Sequence, residues 1–251
     1  MDSQKPHPVT ATFDSLIALR AHIHTNPSDV AARFVNICAA NLLQSNAQLF
    51  QDLFVIFFLN GKRNGFFVEF GATNGIELSN TFLLERHFEW KGILAEPAHC
   101  WHNALKTNRR ASIDLRCIWA QSGHALEFKE TKIPELSTVS NLTEKDFNRD
   151  GRKDGKNYIV ESVSLNDLLT FHKSPQVIDY LSVDTEGSEF AILERFDFAK
   201  FDVNIITVEH NFCDPDRKNI HDLLTAKGFV RLFEFLSKWD DWYIKRSLII
   251  A

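Results

Sequence analysis

The sequence is poor in the features that announce the simplest function classes. Cysteine is scarce: Cys38, Cys100, Cys117 and Cys213 stand far apart, with no CxxC pair. That excludes a clustered-thiolate metal centre and a dense disulfide framework. Isolated cysteines of this kind behave as small hydrophobes in a reducing cytoplasm. Basic charge is not in excess, and the net charge is −5. Without a basic field to hold phosphates, nucleic acid is not expected as a partner. The longest apolar run, LFVIFFL at 53–59, is too short to span a bilayer. The opening residues MDSQKPHPVTATFDS contain no apolar stretch of signal-peptide length. A cytoplasmic protein without a membrane span is the expectation.

What is present is a chain of 251 residues, 44% of them apolar. That suits one large domain with a sizeable core, or a domain with an appendage. Residues 13–60 read as three helices, so 1–60 is expected to be an N-terminal helical appendage and 61–251 the main domain. From residue 65 strand and helix signals alternate. Strands are expected near 65–70, 92–96, 112–118, 125–130, 158–163, 178–184 and 203–209. Such alternation predicts an α/β fold with a mostly parallel sheet covered on both faces. LFEFL (232–236) and WYIKR (242–246) are expected to close it as an antiparallel hairpin at the edge. Residues 131–156 are polar and long for a connection, which is the profile of a lid or binding loop.

The first core strand runs straight into Glu69-Phe70-Gly71-Ala72-Thr73-Asn74-Gly75. Gly71 permits a sharp turn and Gly75 a close approach of backbone to ligand. The next helix then presents its N–H groups to a cofactor. The G-x-G-x-x-G of a dinucleotide site is missing. Glu69 would repel a pyrophosphate but not a cationic aminoacyl-sulfonium. Glu96 ends the second strand, where an acidic residue accepts the hydroxyls of a ribose. The plainer alternative is that both glycines only shape a turn and Glu96 is a solvated strand end.

Several stretches together resemble the FkbM methyltransferase family. They are GFFVEFGATNGIELSNTFLLE (65–85), WKGILAEP (90–97), YIVESVSLNDLL (158–169), IDYLSVDTEGSEFAILERFDF (178–198) and VEHN (208–211). The upstream AQLFQDLFV (47–55) is similar to a segment that precedes the fold in many members, so the likeness covers most of 47–246. Asp184-x-Glu186-Gly187-x-Glu189 is its most specific part. The departures are Thr73-Asn74 in the turn and Ala47 upstream, and residues 1–46 match nothing. The resemblance implies a Rossmann-like class I methyltransferase fold with a seven-stranded sheet. It implies S-adenosylmethionine as methyl donor and a hydroxyl of a sugar, glycan or polyketide-like metabolite as acceptor. It places Gly71, Ala72, Asn74, Gly75, Ser79, Asn80 and Thr81 on the methionine side of the cofactor, with Glu69 beside them, and Glu96 on the ribose.

An aliphatic hydroxyl is a poor nucleophile, so a base or a metal must help remove its proton. Candidates sit at the carboxyl ends of the central strands, where open α/β sheets bind ligands. Asp184 and Glu186 end one such strand; Glu209 and His210 end the next. His210 is the preferred base, because imidazole titrates near neutral pH. Asp184 and Glu209 holding Mg²⁺ is the alternative, with helix capping the structural one. The other histidines form no metal-ligand spacing. Gln48 and Asp52, four apart, are expected to share a helix face, either reaching the cofactor cleft or forming a polar stripe beside an apolar one. Trp239 and Trp242 are expected at the final hairpin, packing its edge or stacking on substrate. Two other function classes stay open: a nicotinamide-dependent oxidoreductase and a non-catalytic cofactor-binding module.

Overall fold

The computed structural model describes residues 7–249. Two compact units divide between Ser45 and Asn46. The first holds α1 (Pro8–Thr25) and α2 (Val30–Ala40). Asp29 caps α2 by accepting the Ala32 N–H at 3.1 Å, and its other oxygen meets His22 Nε2 at 2.7 Å.

The second unit begins with α3 (Gln51–Phe58). The expected boundary at 60/61 therefore moves to 45/46. The reason is packing: Phe54 stacks against Trp242 at 5.0 Å, and Gln51 Nε2 donates to Asp240 at 2.7 Å. Both partners lie in the last strand of the chain. Such burial of large aromatic area fixes a short helix that its length alone would not sustain.

The chain then alternates: β1 (Phe66–Phe70), α4 (Phe82–Phe88), β2 (Lys91–Ala95), α5 (His102–Asn108), β3 (Ser112–Asp114) and β4 (Cys117–Trp119). β5 (Ala125–Thr131), β6 (Thr138–Val139), β7 (Gly155–Ser164), α6 (Leu165–Phe171), β8 (Val177–Val183) and α7 (Glu189–Glu194) come next. β9 (Asp202–Glu209), α8 (Asp214–Ala226), β10 (Phe229–Leu232) and β11 (Asp240–Lys245) complete it.

Seven strands form the main sheet in the order β3-β2-β1-β8-β9-β11-β10. The sheet is mixed. Its first five strands pair in parallel; β11 runs antiparallel to both β9 and β10. β8 is buried along nearly its whole length, as parallel strands covered on both faces must be. Val68, Ile93, Leu181 and Ile206 from the strands pack with Leu168, Leu193 and Leu224 from the helices.

Two expectations change. The first strand of the final hairpin is Phe229–Leu232, not 232–236, because Phe233 and Lys238 take left-handed backbone (φ 53° and 55°) and turn the chain. The hairpin itself sits at the sheet edge, with β10 outermost and β11 paired to β9. The strand expected at 112–118 breaks in two, because Asp114 Oδ1 accepts both the Arg116 N–H (3.0 Å) and its Nε–H (2.9 Å). β4 then joins a separate four-stranded sheet, β4-β7-β5-β6, which the sequence did not announce.

Candidate functional site

In an open α/β sheet, ligands bind beyond the carboxyl ends of the strands where the strand order reverses. Here that point lies between β1 and β8. A cavity of about 340 Å³ opens there. Its walls come from the ends of β1, β2, β8 and β9, from the start of β11, and from the 131–156 connection.

Gly71 leaves β1 with φ 65°, and a Cβ built on it would stand 2.5 Å from the Asp184 carbonyl oxygen. Only glycine lets the two strand ends approach so closely. Glu96, at the end of β2, accepts the N–H groups of Thr73 and Ala98, each at 2.8 Å. Burial pushes its carboxyl up to about 7 despite those bonds. Glu69 accepts the Asn80 N–H at 2.7 Å and the hydroxyls of Ser79 and Thr81. Arg109 stands 3.5 Å from it, sealed between the rings of Phe67 and Phe82.

Asp184, Glu186 and Glu209 each offer an oxygen, and these oxygens lie within 4.8 Å of one another. Asp240 faces Glu209 in direct register across β9 and β11. Desolvation raises the pKa of each of the four, and the neighbouring carboxylates add to the shift: Glu186 and Asp240 are pushed to about 7, and Asp184 and Glu209 well above the ordinary range. Three groups answer them. Asn211 Nδ2 donates to Glu209 at 2.6 Å and to Glu186 at 3.1 Å. Arg152, fully buried, pairs with Glu186 and with Asp146. Gln51 donates to Asp240, as described. Removing one partner of a buried ion pair such as Arg152–Glu186 costs roughly 3–5 kcal/mol.

The family model for the FkbM methyltransferase domain matches residues 69–236. That stretch contains the glycine turn, Glu96 and the Asp184 segment. The chain belongs to the FkbM methyltransferase family. No curated protein matches it. Among solved structures, a Pyrococcus horikoshii protein described as a candidate RNA methyltransferase aligns at 12% identity with TM-score 0.36, over 77% of this chain and 79% of that one. The CurJ carbon methyltransferase aligns at 10% identity with TM-score 0.37, over 90% of this chain and 69% of that one.

Within this family member, the residues singled out from the sequence separate into two groups. Glu69, Gly71, Asn80, Glu96, Asp184 and Glu209 line the cavity. Ala72, Asn74, Gly75, Ser79 and Thr81 do not. Asn74 Oδ1 is taken by the Ile76 and Glu77 N–H groups, both at 2.9 Å, so it shapes the turn. Gly75 makes room for Arg109, whose Cγ would lie 2.6 Å from a Cβ. Ser79 and Thr81 are spent on Glu69 and Arg109.

His210 is a correction. It does not line the cavity, and its side chain is 1% exposed. Its Nδ1 accepts the Phe212 N–H at 3.0 Å, and Nε2 points to Asp241 at 3.8 Å. Burial lowers its pKa. It holds a turn in which Asn211 and Phe212 both take left-handed backbone, φ 44° and 54°. An imidazole so engaged is a structural group, not a base facing substrate.

Gln48 reaches the cavity, but from the segment before α3, where it accepts the Trp239 indole N–H at 3.2 Å. Gln51 lines the wall in place of Asp52. Thr73, Asn211, Trp239 and Asp240 also line it. Asn211 lay within the VEHN stretch, so the resemblance held a signal for it. Asp240 had none: only the β9–β11 register brings it there. From the 131–156 connection, Pro134–Ser137, Val139, Phe147 and Asn148 form wall. Among the described residues no helix is long and apolar enough to cross a membrane.

Proposed function

We propose that the protein transfers a methyl group from S-adenosylmethionine to a hydroxyl of a sugar, glycan or polyketide-like metabolite. One observation carries the reading: the Gly71 turn, Glu96 and the acids at the ends of β8 and β9 share one cavity, and among the described residues no lysine, arginine or histidine lines it. A pyrophosphate or a nucleic-acid backbone would meet carboxyl groups there and no basic side chain facing it, which speaks against NAD and RNA. A sulfonium cofactor with one net positive charge suits the same walls. When bound, it supplies an already activated methyl group.

The protein's task is then alignment and proton removal. Glu96 receives the ribose hydroxyls, since each of its oxygens keeps a lone pair beyond the Thr73 and Ala98 bonds. Glu69 and Gly71 bound the methionine side, and Asn80 lies between that side and β8. The acceptor lies against the 131–156 connection. Its hydroxyl gives its proton to Asp184 or Glu209 as the new C–O bond forms. Burial raises the pKa of both carboxyls, and a carboxylate of higher pKa is a stronger base than an ordinary one.

Mg²⁺ at Asp184 and Glu209 is the second reading, favoured by the 4.8 Å grouping. Against it, Asn211 donates to one oxygen of Glu209, and Asn211 and Arg152 both donate to Glu186, the third acid of the group; a cation would need bare acceptors. The four free cysteines support a reducing compartment, the cytoplasm expected from the sequence. Transfer of labelled methyl to a panel of hydroxylated acceptors tests the function. Asp184→Asn and Glu209→Gln are expected to lower turnover by roughly 10²- to 10⁴-fold with cofactor affinity kept. A fully active double variant would remove the carboxylates from the chemistry.

A further inference from the structure

More carboxyl groups line the cavity than a cofactor and one proton acceptor use. Glu69, Glu96, Glu135, Asp184, Glu186, Glu209 and Asp240 all line it, and among the described residues no basic side chain does. Arg109 answers Glu69 and Arg152 answers Glu186 from behind the wall. A sulfonium cofactor would answer one more. Asp184, Glu209 and Asp240, clustered at the ends of three adjacent strands, then have neutral donors (Asn211, Gln51 and the Trp242 indole) and one another, but no cation.

A second observation is independent of these acids. Asn80 donates through Nδ2 to Ser182 at 2.9 Å. Ser182 lies two residues before Asp184, on the same side of β8 by strand alternation. Asn80 Oδ1 is buried and meets no donor among the described residues. A buried amide oxygen without a donor costs about 1–3 kcal/mol, so this wall calls for an N–H or O–H from a ligand. Trp239, next to Asp240 in the chain, adds an aromatic face to the same cavity, and aromatic faces attract organic cations.

We propose that the methyl acceptor carries an ammonium group, as an amino sugar or amino polyol does, and that Asp184, Asp240 and Asn80 bind it while a neighbouring hydroxyl is methylated. The ammonium is bound, not alkylated. Acceptors bearing phosphate, sulfate or carboxylate are rejected by the same walls. This rests on the methyltransferase reading.

The test is a calorimetric titration of the full chain, saturated with S-adenosylhomocysteine, using three matched probes: glucosamine, glucose and glucuronate. Glucosamine is expected to bind at least about tenfold more tightly than glucose, a difference of about 1.4 kcal/mol, and glucuronate not at all. Asp240→Asn and Asp184→Asn should each erase that preference while leaving homocysteine-product binding in place. Equal binding of the three sugars, binding of none, or a preference for glucuronate overturns the proposal. So does saturable binding of Mg²⁺ alone that abolishes the glucosamine signal. If S-adenosylhomocysteine itself fails to bind, the cofactor assignment fails instead, and the sugar titration is read on the free protein.

Discussion

Glu209 and Asp240 stand directly opposite each other where β9 and β11 pair. Like charges in that position destabilise a sheet, and here both carboxyls are buried. Desolvation, with Asp241 and Glu189 nearby, lifts Asp240 to about 7 from an ordinary 3.8. Its folded-state pKa therefore exceeds its unfolded one, and the folded protein binds the extra proton. Stability must fall as pH rises through the window from about 4 to about 7.

Asp240→Asn should accordingly raise the unfolding midpoint at pH 8 and gain little at pH 5. Each kcal/mol corresponds to about 2–4 °C for a domain of this size. Thermal melts of both proteins at both pH values decide it. A variant less stable at both would show that the opposed pair costs nothing.

His210→Ala should cost stability more than chemistry. It leaves the Phe212 N–H without its acceptor, a loss of about 1 kcal/mol. Methyl transfer should fall less than about tenfold, against the 10²- to 10⁴-fold of a lost base. His210→Asn, which can still accept that N–H, should restore most of the stability. A several-hundred-fold loss of turnover in a fully stable His210→Ala protein would return the residue to the chemistry.

Gly71→Ala and Gly61→Ala form a matched pair. Both glycines have left-handed φ, 65° and 67°, yet a Cβ meets the Asp184 carbonyl at 2.5 Å only in the first; the second has nothing within 4 Å. Gly61→Ala should cost about 1 kcal/mol of backbone strain. Gly71→Ala should cost more and abolish cofactor binding. Equal effects would mean that the approach of β1 to β8 is not needed.

Chelation should leave activity intact. Asn211 Nδ2 and the Arg152 guanidinium already donate to one oxygen each of Glu209 and Glu186. Turnover measured after dialysis against EDTA should match the untreated protein. Loss that Mg²⁺ restores would convert the carboxylate group into a metal site.

The sequence made the β1 turn, Glu69, Glu96 and the Asp184 segment legible, because glycine conformation and strand-end position are local properties. It did not reveal Asp240, which enters the cavity only through the pairing of β9 with β11, or Gln51, which follows it there by donating to its carboxylate; Trp239 was expected at the final hairpin, with stacking on substrate as one of its two readings. The error over His210 had a local cause. Successive residues along an extended chain point to opposite sides, so with Glu209 on the main cavity the next side chain, His210, turns away from it. The division at 45/46 was hidden for another reason. α3 reads as one more appended helix until Phe54 is seen against Trp242.

The central claim is that the Gly71–Glu96 cavity binds S-adenosylmethionine. Isothermal titration of the protein and of Glu96→Ala with S-adenosylmethionine, S-adenosylhomocysteine and NAD tests it most directly. The first two are expected to bind saturably and NAD not at all, with a loss of roughly 1.5–3 kcal/mol in the folded variant, as for removal of a charged hydrogen-bond acceptor. Heat from NAD alone, or an unchanged affinity in Glu96→Ala, would contradict it.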